Sequence, residues 1–144
     1  MAAALLDASL VALLGVIAVI DLRTRLVPDR PLLAALALVL GSCAVTAPEQ
    51  LPGRLVAGAG AAGFLLAAAL IRPGGMGLGD VKLAGVLGVY LGAAVVVALA
   101  VAFAAGSLAG LWLIARHGWS ARSRTIAFCP CLALGAVSAL VLRA

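Results

Sequence analysis

The chain has 144 residues, of which 66% are hydrophobic and 10% charged, with a formal net charge of +5. A soluble globular domain carries roughly a quarter of its residues as charges, so that class is excluded and a membrane protein is indicated. The basic excess sits in short loops rather than on one amphipathic face, which fits loops held beside anionic lipid and gives no ground for a nucleic-acid partner. Long unbroken apolar runs also exclude a β-barrel, whose strands alternate over short segments.

Taken in order, the first apolar segment runs from about Ala3 to Ile20. It lacks a basic leading region and a small-x-small cleavage site, so a retained helix is expected rather than a cleaved signal. Loop one, Asp21 to Arg30, carries Arg23, Arg25 and Arg30 with Asp21 and Asp29. Pro28 stops a helix there and Pro31 suits the first turn of the next. Segment two is Pro31 to Ala47, and loop two is Pro48 to Gly53 with Glu49, the only glutamate. Segment three runs from about Arg54 to Ile71, where Gly58, Gly60 and Gly63 offer a smooth face for close helix packing. Arg72 and a glycine-rich stretch, Gly74-Gly75-Met76-Gly77-Leu78-Gly79-Asp80, lead into the charge-free run Leu83 to Ala115. Loop five follows with Arg116, His117, Arg122 and Arg124, and the last segment spans about Thr125 to Leu142.

The run Leu83 to Ala115 would make a helix of about 50 Å at about 1.5 Å per residue, against a hydrocarbon core of about 30 Å. Two short helices turning near Gly88 to Gly92 fit better, provided the first begins submerged beside Asp80. Irregular backbone at that depth is tolerated inside protein or a wet cavity. Tyr90 would then lie near one interface and Trp112 with Trp119 near the other. Six segments put Arg23, Arg25, Arg30, Arg72, Lys82, Arg116, Arg122 and Arg124 on one side, leaving only Arg54 and Arg143 at the other ends. The fold expected is therefore an all-α polytopic membrane protein of six transmembrane helices, some short, with a glycine-rich catalytic loop before the fourth. By the positive-inside rule the loops bearing Asp21 and Asp80 are cytosolic and both termini outside. One integral-membrane domain, residues 1–144, accounts for the chain, since no loop is long enough for a soluble domain.

The chemistry rests on two carboxylates. An ionisable group at membrane depth is a functional candidate by default, and Asp80 stands inside a break between apolar segments. Asp21 ends the first segment, and the two meet if the first and fourth helices pack together. A carboxylate pair sharing a proton can divide the roles of base and acid, one activating water against a carbonyl and the other protonating its oxygen. The glycines around Asp80 would let an extended substrate strand lie close to the backbone. A proton relay or small transporter uses the same residue type, and spacing alone fits both. A non-catalytic assembly scaffold is the bland alternative.

Gly77-Leu78-Gly79-Asp80, extended by Val81-Lys82-Leu83, resembles the second active-site motif of the type IV prepilin peptidases, bacterial intramembrane aspartyl proteases. Asp21-Leu22-Arg23-Thr24-Arg25-Leu26-Val27-Pro28-Asp29 resembles their first motif, whose leading aspartate is catalytic. Ile126-Ala127-Phe128-Cys129-Pro130-Cys131-Leu132-Ala133-Leu134-Gly135 is similar to the family's Phe-Gly-Pro-Phe segment before the last helix, with Cys129 and Cys131 where Gly and Phe are usual. The resemblance implies an endopeptidase of the bacterial inner membrane. It would cleave the basic leader of type IV prepilins or pilin-like proteins after a glycine, at the cytosolic face. It implies Asp21 and Asp80 as catalytic residues, with Gly77, Gly79 and Lys82 in the active-site loop. Larger members also methylate the new terminus and carry a four-cysteine zinc domain. The chain has neither the length nor the cysteines for that domain, so the short, peptidase-only form is expected, without methylation.

The remaining polar residues have plainer readings. Asp29 is expected as a loop carboxylate or a cap for segment two. Lys82 is read as a cytosol-facing anchor or countercharge, and Asp7 as an interfacial polar residue. One histidine and three cysteines do not make a plausible zinc centre near Asp80, so neither metal nor cofactor is expected. Cys43 is expected as a small buried hydrophobe.

Overall fold

The computed structural model describes residues 8, 11, 12, 14–17, 19, 20, 23, 29–71, 77–117 and 128–143. Their regular structure is entirely helical. Five α-helices have defined bounds: α1 (Asp29–Thr46), α2 (Leu51–Ile71), α3 (Leu78–Leu91), α4 (Val95–His117) and α5 (Cys129–Arg143). Residues 8, 11, 12, 14–17, 19, 20 and 23 are also helical, and Leu14 and Ile17 are buried in the common core.

Helices α2 and α3 form one antiparallel hairpin and α4 and α5 a second, with α1 and α5 both packed on α3. The first hairpin is held by glycine. A Cβ on Gly88 would stand 2.6 Å from Gly58 Cα and 2.7 Å from the Ala57 carbonyl oxygen, so the two backbones touch where no side chain fits. Gly85 meets Ala62 one turn further along the same seam. Such small-residue crossings replace the hydrophobic drive that lipid does not supply. The second hairpin uses the same device at Gly135, whose missing Cβ leaves room for the Ala98 carbonyl.

At the far end of the first hairpin, Arg54 donates from Nη1 to the Tyr90 carbonyl at 3.0 Å and from Nη2 to Gln50 Oε1 at 3.1 Å. A guanidinium on the last carbonyls of α3 satisfies groups that the helix cannot pair itself and complements its dipole. The chain then turns through Gly92–Ala94, a single 3-10 turn. Gly92 has φ 58° and ψ −134°, a backbone state open to glycine, and its N–H donates to the Gly88 carbonyl.

Six transmembrane helices are not what the structure contains. Among the described residues only two apolar helical stretches are long enough to cross a membrane, Pro48–Ile71 and Leu78–Arg116, while Arg30–Val45 and Cys129–Leu142 are shorter. Charged loops marked off apolar segments correctly as segments, but a crossing needs about 20 residues of helix. Helix α3 has 14 residues and α5 has 15, too few for that. The stretch Leu78–Arg116 is broken only by the turn at Gly92–Ala94, and Gly88 serves as a packing contact inside α3 rather than as the turn. The expected catalytic loop is also corrected. Helix α3 begins at Leu78, so Gly79, Asp80 and Lys82 are helical.

Candidate active site

Asp80 is the third residue of α3 and lies in its first turn. Gly77 precedes the helix in extended backbone, φ −77° and ψ 144°, and its carbonyl accepts the Asp80 N–H at 3.1 Å. The unpaired N–H groups of a helix start carry partial positive charge, which favours a carboxylate there. A Cβ on Gly77 would stand 3.7 Å from Asp80 Oδ2, so glycine keeps one flank of the carboxylate unobstructed by a side chain.

Asp80 is 7% exposed and is the one buried charged side chain among the described residues. That burial follows from its helix: α3 is central, and ten of its residues, from Asp80 to Leu91, are buried. Gly79 is half-buried, while Gly77 and Lys82 are exposed. The start of α3 therefore carries Gly79, Asp80 and Lys82, with Gly77 immediately before it. Asp21 lies outside the described residues, as do Asp7, Arg72, Trp119, Arg122 and Arg124. Asp29 is the first residue of α1.

The register of the helices fixes the depth of the carboxylate. Pairing of Gly58 with Gly88 and of Ala62 with Gly85 puts Asp80 opposite the Leu66–Ala67 turn of α2. Phe64 stacks edge-on against Phe103 with ring centroids 5.7 Å apart, so that turn lies level with Gly106 on α4. From Gly106, α4 continues about 15 Å to Arg116 in one direction and about 16 Å back to Val95 in the other, at about 1.5 Å per residue. Asp80 thus sits midway along a helix long enough to span a bilayer. A short α3 thus puts a helix end, with its charge-stabilising amides, level with the middle of its longer neighbour.

The last helix closes the site from another direction. Cys131 is 8% exposed and within electrostatic reach of the Asp80 carboxylate, and Cys129 is fully buried. Phe128 packs against Phe103 at 5.3 Å between centroids and against Gly106, where a Cβ would come within 3.4 Å of its ring. The electrostatic link between Cys131 and Asp80 was not assigned from sequence. Its signal was the resemblance of Ile126 to Gly135 to a family segment, which marked the stretch without saying what it faces. Cys43 is buried and donates to the Ala47 carbonyl at 3.5 Å, far along α1 from this cluster. Among the described residues no three His, Cys, Asp or Glu side chains gather as metal ligands would.

Such an arrangement can hold a proton at a buried acid and offer it to a polarised carbonyl. The family model described as "Type IV leader peptidase family" matches residues 8–115, which include both aspartate motifs and stop short of the third motif at Ile126 to Gly135. No curated protein and no solved structure matches the chain. With the match covering most of its length, the chain belongs to the type IV leader peptidase family and is a type IV prepilin leader peptidase, an intramembrane aspartyl peptidase with a pilin-type substrate.

Proposed function

We propose that Asp80 and Asp21 are the two catalytic carboxylates and that the protein cleaves the basic leader of a pilin-type substrate after its final glycine. The observation that carries this is a buried carboxylate at a helix start, level with the middle of a membrane-length helix. One carboxylate takes a proton from water as the water oxygen attacks the scissile carbonyl. The other gives its proton to the carbonyl oxygen. Collapse of the tetrahedral intermediate then breaks the C–N bond: the leaving amine receives the proton first taken from water, and the hydroxyl formed from the carbonyl oxygen returns its proton to the second carboxylate. Coupled carboxylates hold the shared proton as a pair. Gly77 and Gly79 leave the flank of Asp80 open to a substrate backbone, and Lys82 acts as a local countercharge at the exposed side of that turn.

We place the Asp80 end of α3 toward the cytosol of a bacterial inner membrane. Arg116 lies in the last turn of α4, and in the sequence Arg72 directly follows α2 while Arg122 and Arg124 fall between α4 and α5. Excess basic residues stay cytosolic. The C-terminal end of α5 then falls outside, since α5 runs from the level of Asp80 toward the level of Ala98 and beyond. Reactivity of single cysteines at positions 116 and 143 toward an impermeant reagent tests the orientation, and labelling of position 116 only from outside would reverse it.

The decisive experiment measures conversion of co-expressed prepilin to mature pilin by gel shift and N-terminal sequencing. Asp80→Asn and Asp21→Asn are each expected to abolish conversion at normal membrane levels, because an amide keeps the size but cannot exchange the proton. Asp29→Asn is expected to retain substantial activity. Full processing by Asp80→Asn would overturn the assignment. Loss with Asp29→Asn but not with Asp21→Asn would move the first role to Asp29.

A further inference from the structure

Lys82 is exposed, and so is Leu78 at the start of the same helix. Residues spaced in this way, i and i+4, share one helix face. Apart from half-buried Gly79 and Gly85, every other residue of α3 is buried. The enclosed helix thus has one uncovered side, at its first turns, and that side carries a charge.

The level of that charge is unusual. Lys82 lies two residues past Asp80, about 3 Å further from the Arg116 end at about 1.5 Å per residue. Its level on α2 is the turn of Phe64, and its level on α4 is Ala104, about 18 Å from Arg116 and about 14 Å from Val95. Phe64 and Ala104 are exposed as well, and both are apolar, as a lipid-facing surface requires. An ammonium at the same level has other needs. Ionisable residues at membrane depth face the protein interior or a water-filled cavity, and Lys82, being exposed, does not face the interior. Near a helix end a lysine can reach the headgroups, but its four-carbon stem covers only about a third of the distance to the level of Arg116. An acidic partner within the chain would lessen the demand without removing it, because the exposed N–H groups still need acceptors.

We propose that the Leu78 and Lys82 face of α3 borders a water-filled recess, open at the Asp80 end of the molecule and reaching the level at which Phe64 and Ala104 meet lipid. The recess leads to the carboxylate. Gly77 directly precedes Leu78 and is exposed, and a Cβ there would stand 3.7 Å from Asp80 Oδ2. The space that this glycine leaves open adjoins the carboxylate oxygen, so water in the recess reaches that oxygen without crossing a layer of side chains. Lys82 keeps this side of the helix wet, and hydrolysis consumes the water. The inference rests on the membrane crossing and orientation proposed above, not on Asp80 being catalytic, and the test separates the three.

Leu78→Cys, Lys82→Cys, Ala67→Cys and Ala104→Cys are made one at a time. All four positions are exposed, and Ala67 and Ala104 lie at the levels of Asp80 and Lys82 on α2 and α4. The native Cys43, Cys129 and Cys131 are buried, and the unaltered protein gives their background. A charged, impermeant methanethiosulfonate reagent is added to cytosol-side-out membrane vesicles. It attacks the thiolate, which forms where water reaches the sulfur, so Leu78→Cys and Lys82→Cys are expected to react at least about tenfold faster than Ala67→Cys and Ala104→Cys. Leu78→Cys retains the lysine, so its result does not depend on how the chain tolerates the loss of Lys82. Equal rates at all four positions would overturn the recess. Should Arg116→Cys, Leu78→Cys and Lys82→Cys all react only from outside, the recess stands and the orientation falls. Should Arg116→Cys react from the cytosol while positions 78 and 82 stay as slow as 67 and 104, the orientation stands and the recess falls. Prepilin processing by Asp80→Asn, with positions 78 and 82 reacting as expected, would leave the recess and remove the catalytic assignment.

Discussion

Helices α3 and α4 follow one another in a single apolar stretch, yet they do opposite work. Helix α3 has 14 residues and is buried along most of its length, with α1, α2 and α5 around it. Helix α4 has 23 residues, and beyond Gly106 it exposes Leu108, Leu111 and Trp112. The short helix carries the charge, and the long one, level with it at its middle, is the one long enough to cross a membrane. Hydropathy treats both alike, because each consists of residues that prefer lipid or a protein interior to water. The difference lies in what surrounds them. A helix enclosed by protein need not span the bilayer, and one of its polar ends can lie within it.

Breaking the polar end of α3 should have the largest effect. Asp80→Asn is expected to reduce prepilin conversion by about 10²- to 10⁴-fold, the range that a general acid or base contributes. The Asp80→Asn protein should nonetheless melt in detergent close to the wild-type temperature, since the amide keeps the shape of the carboxylate and still accepts hydrogen bonds through its oxygen. A large fall in melting temperature would mean that the carboxylate serves the fold and would separate that role from catalysis.

The seam that holds α3 in place comes next. Gly88→Leu forces side-chain atoms into the space occupied by Gly58 and the Ala57 carbonyl. Overpacking of this kind costs about 1–3 kcal/mol or more, so thermal stability and processing should fall together. Gly63→Ala on the same α2 helix meets nothing within 4 Å and should be neutral. Equal losses from both substitutions would show that α2 and α3 do not cross at Gly58 and Gly88.

Capping is a smaller matter. Arg54→Ala removes the hydrogen bond to the Tyr90 carbonyl and the cation at the C-terminal end of α3. A loss of about 1–2 kcal/mol is expected, read as a lowered melting temperature in detergent. Arg54→Lys should recover only part of it, because lysine lacks the fork that reaches Tyr90 and Gln50 together. The smallest effect belongs to the exposed end of α4. Arg116 stands 5.2 Å over the Trp112 ring, an exposed cation–π contact. Trp112→Ala should cost about 0.5–1 kcal/mol and leave the rate of processing unchanged.

Asp80 was legible as a candidate without the structure because its signals are local. An aspartate flanked by Gly77, Gly79 and apolar residues marks itself, since an ionisable residue in such a run has no structural reason to be there. The departure from six helices arose at the same places where local signals say nothing. Pro48 and Glu49 end one apolar segment, but the bound of a segment does not say whether the helix before it reaches across. Gly88 and Gly92 looked equivalent as turn residues. One is a contact with Gly58 and the other the positive-φ turn, and only a neighbouring backbone distinguishes them.

The sequence by itself determined the membrane class, the helical content and the identity of Asp80 as the candidate acid, because composition, hydropathy and the company of a charged residue are properties of the chain read along its length. The tertiary structure alone decided that α3 is a short, enclosed helix, that Asp80 lies level with the middle of α4, and that Cys131 on α5 comes within electrostatic reach of it. Those facts depend on register, on which residue of one helix lies level with which residue of another. Register is set by a few close contacts, Gly58 with Gly88, Phe64 with Phe103 and Gly135 with Ala98, between residues far apart in the chain.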